Sequence, residues 1–224
     1  MTIYDDMWSQ TFGELPLVAC ELRVLLPDRW VRFDSLPESK RYADNQVEYA
    51  EVLRRQNQLV DELLCGKPGW MVTAGTPPDQ FTDLTELSAA AARAVVADIA
   101  AQADLADRAD LEFLSSLLGT APTRLTRDYR PAHHEPDSPV RLLHGWPLRW
   151  QPGMLDAWLR LIADDERFNT LILDAEFKRL IAPYDGGVDV IVATQEERDQ
   201  LRQRHVDWLS PHPCGTGFIA CTER

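Results

Sequence analysis

A chain of 224 residues with 45% apolar side chains has the length for one large or two small domains and enough apolar content for a real core. Its formal net charge of −13 argues against nucleic acid as a partner, because each phosphate contact needs a cation and the long-range field repels a polyanion. The four cysteines lack C-x-x-C spacing and read as reduced thiols.

The acidic start MTIYDDMWSQ predicts no signal peptide, and no apolar run approaches the roughly 18 residues of a membrane helix. The expectation is a cytoplasmic protein with no membrane contact. From Leu17 to Leu36, LVACELRVLL and WVRFDSL flank PDR, which predicts a hairpin. In the second run Trp30, Arg32 and Asp34 share one face and Val31 and Phe33 the other, as a period of two requires. Asn45 and Glu48 have capping-box spacing and open an amphipathic helix carrying Tyr49, Val52, Leu53, Val60, Leu63 and Leu64, which CGKPG ends. WMVTAG then predicts a short strand that Pro77 and Pro78 stop.

Asp79 to Glu112 holds eight acids and two bases among alanines and leucines, a composition of high helix propensity. Residues 120–139 are proline-rich with little apolar periodicity, which predicts a long loop and a boundary. Beyond it, VRLLHGWPLRW reads as one irregular strand or a strand pair. A helix follows with Leu155, Trp158, Leu159 and Ile162 on one face. NTLILD, KRLIAPY and VDVIVA predict three strands, and Thr194 with Glu197 caps a last helix bearing Leu201, His205, Trp208 and Leu209. The organisation is thus an N-terminal α+β part over 1–119, a loop over 120–139 and a β-α-β-β-β-α part over 140–224, together one compact unit. Strands this close in sequence leave no room for crossover helices, so the class is α+β, an antiparallel sheet with helices on one face.

Candidate chemistry is sparse. DGG at Asp185 to Gly187 lies between two strand-like runs and reads as a three-residue hairpin loop using glycine at positive φ. A phosphate loop would instead join a strand to a helix and supply a lysine. Asp189 alternates with valines, so it is exposed if its face is open and needs a partner if both faces are covered. His133, His134, Glu135 and Asp137 form a metal-like cluster, yet neighbours in a proline-rich loop rarely converge on one ion. No metal and no cofactor is expected. His212 and Cys214 sit in an extended tail where a nucleophile and base diverge. RFDSLPESKRY gathers Arg32, Asp34, Ser39, Lys40, Arg41 and Tyr42 between a strand and a helix, a polar surface site or a salt-bridged connector. Among the seven tryptophans, Trp158 and Trp208 have core spacing, while Trp30, Trp70, Trp146 and Trp150 lie near strand or turn ends, where aromatic side chains can anchor a partner.

PYDGGVDVIV followed by a helix with VDWLSPHP resembles bacterial uncharacterised-domain families grouped with polymorphic-toxin immunity proteins. The resemblance covers about Leu171 to Pro213, with support from RFDSLPESKRY, and it implies a scaffold with no catalytic residues. What it implies for function is a soluble binding protein that neutralises a cognate bacterial toxin with a basic surface. The candidate partner surface is Asp98, Asp104, Asp107, Asp110 and Glu112, with Trp30, Arg32 and Asp34. Two alternatives stand beside it. One is a small hydrolase-type enzyme using Asp185, Asp189 and His205, a convergence that general acid-base chemistry requires. The other is a regulatory protein without a toxin partner.

Overall fold

The computed structural model describes residues 3–13, 15, 17, 19–74, 108–129, 141–165 and 170–211. Seven strands form one antiparallel sheet, and helices cover both of its faces. The class is α+β as expected. The strands are β1 (Trp30–Asp34), β2 (Gly69–Ala74), β3 (Thr123–Tyr129), β4 (Arg141–Leu148), β5 (Thr170–Asp174), β6 (Leu180–Tyr184) and β7 (Gly187–Ile191). Their spatial order is β1-β7-β6-β5-β2-β4-β3. The described helices are α1 (Ile3–Phe12), α2 (Ala19–Leu25), α3 (Gln46–Leu64), α4 (residues 108–118), α5 (Asp156–Ala163) and α6 (Gln195–Arg204).

The predicted meander of β5, β6 and β7 forms with short turns. Its valine face, Val188 and Val190, joins Val31 and Phe33 of β1 against Val60 and Leu64 of α3 and Trp158 and Ile162 of α5. The opposite face is not open, which corrects the expectation of helices on one side. Tyr4, Trp8 and Phe12 of α1 and Leu22 of α2 pack there on Val72, Leu171, Leu173 and Leu180, and Phe177, from the β5–β6 turn, meets Tyr4 edge-on at 4.6 Å. These strands are therefore buried on both sides, which explains why TLILD is apolar at Leu171, Ile172 and Leu173 without alternation.

Two further expectations are corrected. LVACELRVLL does not pair with β1: its residues Ala19–Leu25 are helical, and β1 pairs with β7, Arg32 opposite Asp189. Leucine, alanine and glutamate favour a helix there over the strand that the valines suggested. Thr123–Tyr129 is a strand on the edge of β4, inside the span read as a loop. Its ladder with β4 shifts register between Arg124 and Asp128, which breaks the period of two that would have marked it in the sequence.

Asn45 caps α3 as expected, while the Glu48 carboxylate accepts from the Asp44 N–H at 2.7 Å rather than from Asn45, so the box is not reciprocal. Asn45 Oδ1 accepts from the backbone N–H groups of Val47 at 3.0 Å and Glu48 at 3.1 Å, and Cys65 ends the helix in a left-handed conformation. Among the described residues no helix is long and apolar enough to cross a membrane.

Candidate functional site

The α1 cover stops short of the β1 end of the sheet. Trp30, Ile191 and Leu180 form an apolar row across β1, β7 and β6, and the next row is Arg32, Asp189 and Ala182. The last row is Asp34, Gly187 and Tyr184. The small Ala182 leaves room above this floor. A cleft of about 800 Å³ results, walled by Ala19 and Arg23 of α2, the β1–α3 connection at Ser39 and Arg41, the Asp185–Gly186 turn, and Ser210 with Pro211.

The floor is held by charge-assisted bonds. Asp189 is buried and accepts from Arg32 Nε and Nη2, both at 2.8 Å, and from Trp30 Nε1 at 3.0 Å. Asp189 is almost fully buried even though it lies at the cleft floor, so the carboxylate needs its partner, as burial dictates. Burial opposes the charge of Arg32, yet its hydrogen bond to Asp189 and the charges of Asp189 and Asp34 outweigh this and raise its pKa. Its guanidinium also lies 4.9 Å from the Tyr184 ring centre, a cation–π distance. Burial pushes the Tyr184 phenol well above its ordinary value, so it is a neutral O–H donor at the floor.

The wall at the turn is a second pair. Buried Asp185 accepts from Arg41 Nε and from the Tyr42 hydroxyl at 3.0 Å, and both donors have raised pKa values, chiefly through their hydrogen bonds to Asp185. The chain reaches this position through Glu38 and Ser39, which carry φ of 59° and 56°, with Lys40 N–H returning to the Pro37 carbonyl at 3.2 Å. Two consecutive positive φ values suit a type I′ turn, where glycine and asparagine are usual. On glutamate and serine they store strain on the order of 1–3 kcal/mol each. Anchors on both sides offset it: Ser39 Oγ donates to Asp34 Oδ2 at 2.7 Å, Arg55 Nη1 donates to the Asp34 carbonyl at 2.9 Å, and Lys40 Nζ bridges Asp44 and Glu48 at 2.7 and 2.6 Å.

The structure thus joins the polar connector RFDSLPESKRY to Asp185 and Asp189 in one cleft. It does not bring His205 there. His205 is buried beside Phe33 and stacks on Trp208 at 4.2 Å, and its Nε2 lies 3.0 Å from Glu62 Oε1. Burial raises the Glu62 pKa, but hydrogen bonds from Gln58, His205 and Arg204 outweigh it and lower the net value. The expected convergence of Asp185, Asp189 and His205 is therefore corrected: alternation along β1 puts Phe33 on the sheet face opposite Arg32, and His205 goes with Phe33.

Of the candidate partner surface, Trp30 is buried and Arg32 and Asp34 line the cleft. Asp110 is buried and Glu112 exposed on α4, while Asp98, Asp104 and Asp107 lie outside the described residues, as do His133, His134, Glu135, Asp137, His212 and Cys214. Among the described residues no group of three or more histidines, cysteines and acids could hold a metal. Arg23 and Ser210 were not legible as site residues, because only the packing of α2 and of the segment after α6 carries them to the cleft.

The DGG turn also differs from its reading. Tyr184 pairs with Gly187, leaving Asp185 and Gly186 as a two-residue turn, and none of the three loop residues has positive φ. Gly187 is required by proximity instead: a Cβ there would crowd the Phe33 carbonyl and lie 2.7 Å from the Tyr184 hydroxyl.

No curated protein and no solved structure matches the chain. One family model, described as Domain of unknown function (DUF3885), matches residues 18–213. That span contains all seven strands and every residue lining the cleft, and the chain is a member of the DUF3885 family.

Proposed function

We propose that this chain is a binding protein and that the cleft beside β1 is its binding site. The observation that carries the reading is the state of the three carboxylates of the cleft floor and turn, Asp34, Asp185 and Asp189. Asp189 is engaged by Arg32 and Trp30, Asp185 by Arg41 and Tyr42, and Asp34 by Ser39. A general base needs a lone pair within reach of a substrate proton, whereas fixed ion pairs in a strained, anchored frame suit a preorganised recognition surface. A cognate toxin as the partner rests on the sequence resemblance, and the net charge of −13 would speed its association if it is basic.

Co-expression with the product of the neighbouring gene, assayed first for toxicity when expressed alone, tests this, comparing wild type, Arg23→Glu with Arg41→Glu, and Glu112→Lys. Binding through the cleft predicts that the double arginine variant, still folded by denaturant melt, loses the purified complex, while Glu112→Lys on exposed α4 keeps it. The reverse result moves the interface to the acidic helix. No complex with wild type removes the toxin reading.

A further inference from the structure

The cleft's donors outnumber what its own carboxylates use. Arg32 gives Nε and Nη2 to Asp189, which leaves Nη1. Arg41 gives Nε to Asp185 and is otherwise exposed, with a side-chain accessibility of 61%. Arg23, which also lines the cleft, makes no hydrogen bond or ion pair among the described residues, and the Tyr184 hydroxyl accepts and donates none among them. An arginine carries five N–H donors and no acceptor. Arg23, Nη1 of Arg32 and the exposed end of Arg41 are thus left for an acceptor brought from outside, beside the exposed Asp165 on the same wall.

We infer that the cleft anchors its ligand through a carboxylate, gripped by Arg23 and Arg41 over the Tyr184 hydroxyl. This rests on the reading of the cleft as a binding site and names the chemistry of what enters it. Arginine suits the role because its planar fork matches a carboxylate's two oxygens. Charge selects carboxylate over phosphate. Asp34, Asp165, Asp185 and Asp189 line the same space, and each added negative charge is repelled by them. A carboxylate brings one charge, a phosphate monoester about 1.5 to 2 at neutral pH. The volume of about 800 Å³ lies in the range of organic-ligand pockets, far more than one carboxylate fills. Ala182, Pro183 and Pro211 supply apolar wall for the remainder of a small acid, or of an acidic residue or C-terminus on a protein partner.

The test titrates the intact chain with N-acetylglycine, N-acetylglycinamide and phenyl phosphate, followed by backbone amide NMR shifts. Saturable shifts around Gly186 and Gly187 are expected with N-acetylglycine and not with the amide. Affinity should fall about ten-fold or more in Arg23→Ala and in Arg41→Ala. Arg149→Ala, following β4 on the far side of the sheet, should change nothing. Arg23→Lys, which keeps charge without the fork, should bind with intermediate affinity and guards against misfolding of the alanine variants. Equal binding of acid and amide, tighter binding of phenyl phosphate, or indifference to Arg23 overturns the inference. N-acetylglycine is then added to the partner complex. Displacement identifies the partner's own carboxylate as the occupant, while a free small acid is indicated if N-acetylglycine binds wild type and no complex with the partner forms. A complex that is lost in the arginine variants yet withstands N-acetylglycine sinks the carboxylate anchor and leaves the binding reading intact. A complex indifferent to the arginine variants sinks the reading of the cleft as the binding site.

Discussion

Gly187 shows how one missing side chain shapes the site. Its backbone lies under the Tyr184 ring and against β1, where a Cβ would crowd the Phe33 carbonyl. Gly187→Ala is expected to lower stability by about 1–3 kcal/mol through overpacking. Gly186→Ala, whose Cβ would meet Arg41 and Tyr184 carbons at 3.4 Å, should stay within about 0.5 kcal/mol of wild type. Urea melts of the two variants separate proximity from backbone strain, since strain at a positive-φ loop would penalise both. Glu51 offers a second residue-scale test. Its hydrogen bonds from Arg54, and also from Arg55, lower its pKa from 4.5 to about 2, against a burial effect in the other direction. A depressed carboxylate stabilises the fold fully above its unfolded value and loses that contribution as the pH falls through the folded one. Glu51→Gln should therefore be less stable than wild type at pH 7, and the difference should shrink between pH 4.5 and 2. A difference independent of pH would assign the effect to packing.

At the scale of elements, α3 connects the core to the cleft wall. It begins five residues after Arg41, and its buried side carries Val52, Leu59, Val60, Leu63 and Leu64. The same helix sends Arg55 to the Asp34 carbonyl and Gln56 to the Ser35 hydroxyl at 3.3 Å, so the end of β1 and the start of α3 are tied together. Loss of the cap should reach the cleft as well as the helix. Asn45→Ala is expected to cost about 1 kcal/mol in a denaturant melt, with amide shifts extending to Arg41 and Tyr42. A stability loss with no change at those residues would show that the connector is held by Lys40 and Ser39 alone.

For the whole molecule, the decisive feature is the second covered face of the sheet. Tyr4, Trp8 and Phe12 are 1%, 0% and 6% exposed, and each fully buried side chain of this kind contributes about 1.5–3 kcal/mol. Deleting residues 1–13 should destabilise the chain by more than about 3 kcal/mol, or prevent folding, and expose Leu171, Leu173 and Leu180 to a hydrophobic dye. A neutral deletion would mean that this face tolerates water.

Local signals determined much of the chain by themselves. The caps at Asn45 and Thr194, the strand alternation of Val31 and Phe33, and the closely spaced runs around Asp185 each depend on neighbours within a few residues, so sequence periodicity reports them directly. It also singled out RFDSLPESKRY and Asp189 as the ambiguous polar places, and both became parts of one cleft. Only tertiary structure decided the rest. Whether LVACELRVLL was strand or helix depended on its place in the fold, with β7 taking up the edge of β1. Thr123–Tyr129 became a strand because β4 offered it a ladder. His205 went to Glu62 and Arg23 to the cleft because packing of helices against opposite faces of the sheet fixes distances between residues far apart in the chain, and no local pattern carries that information.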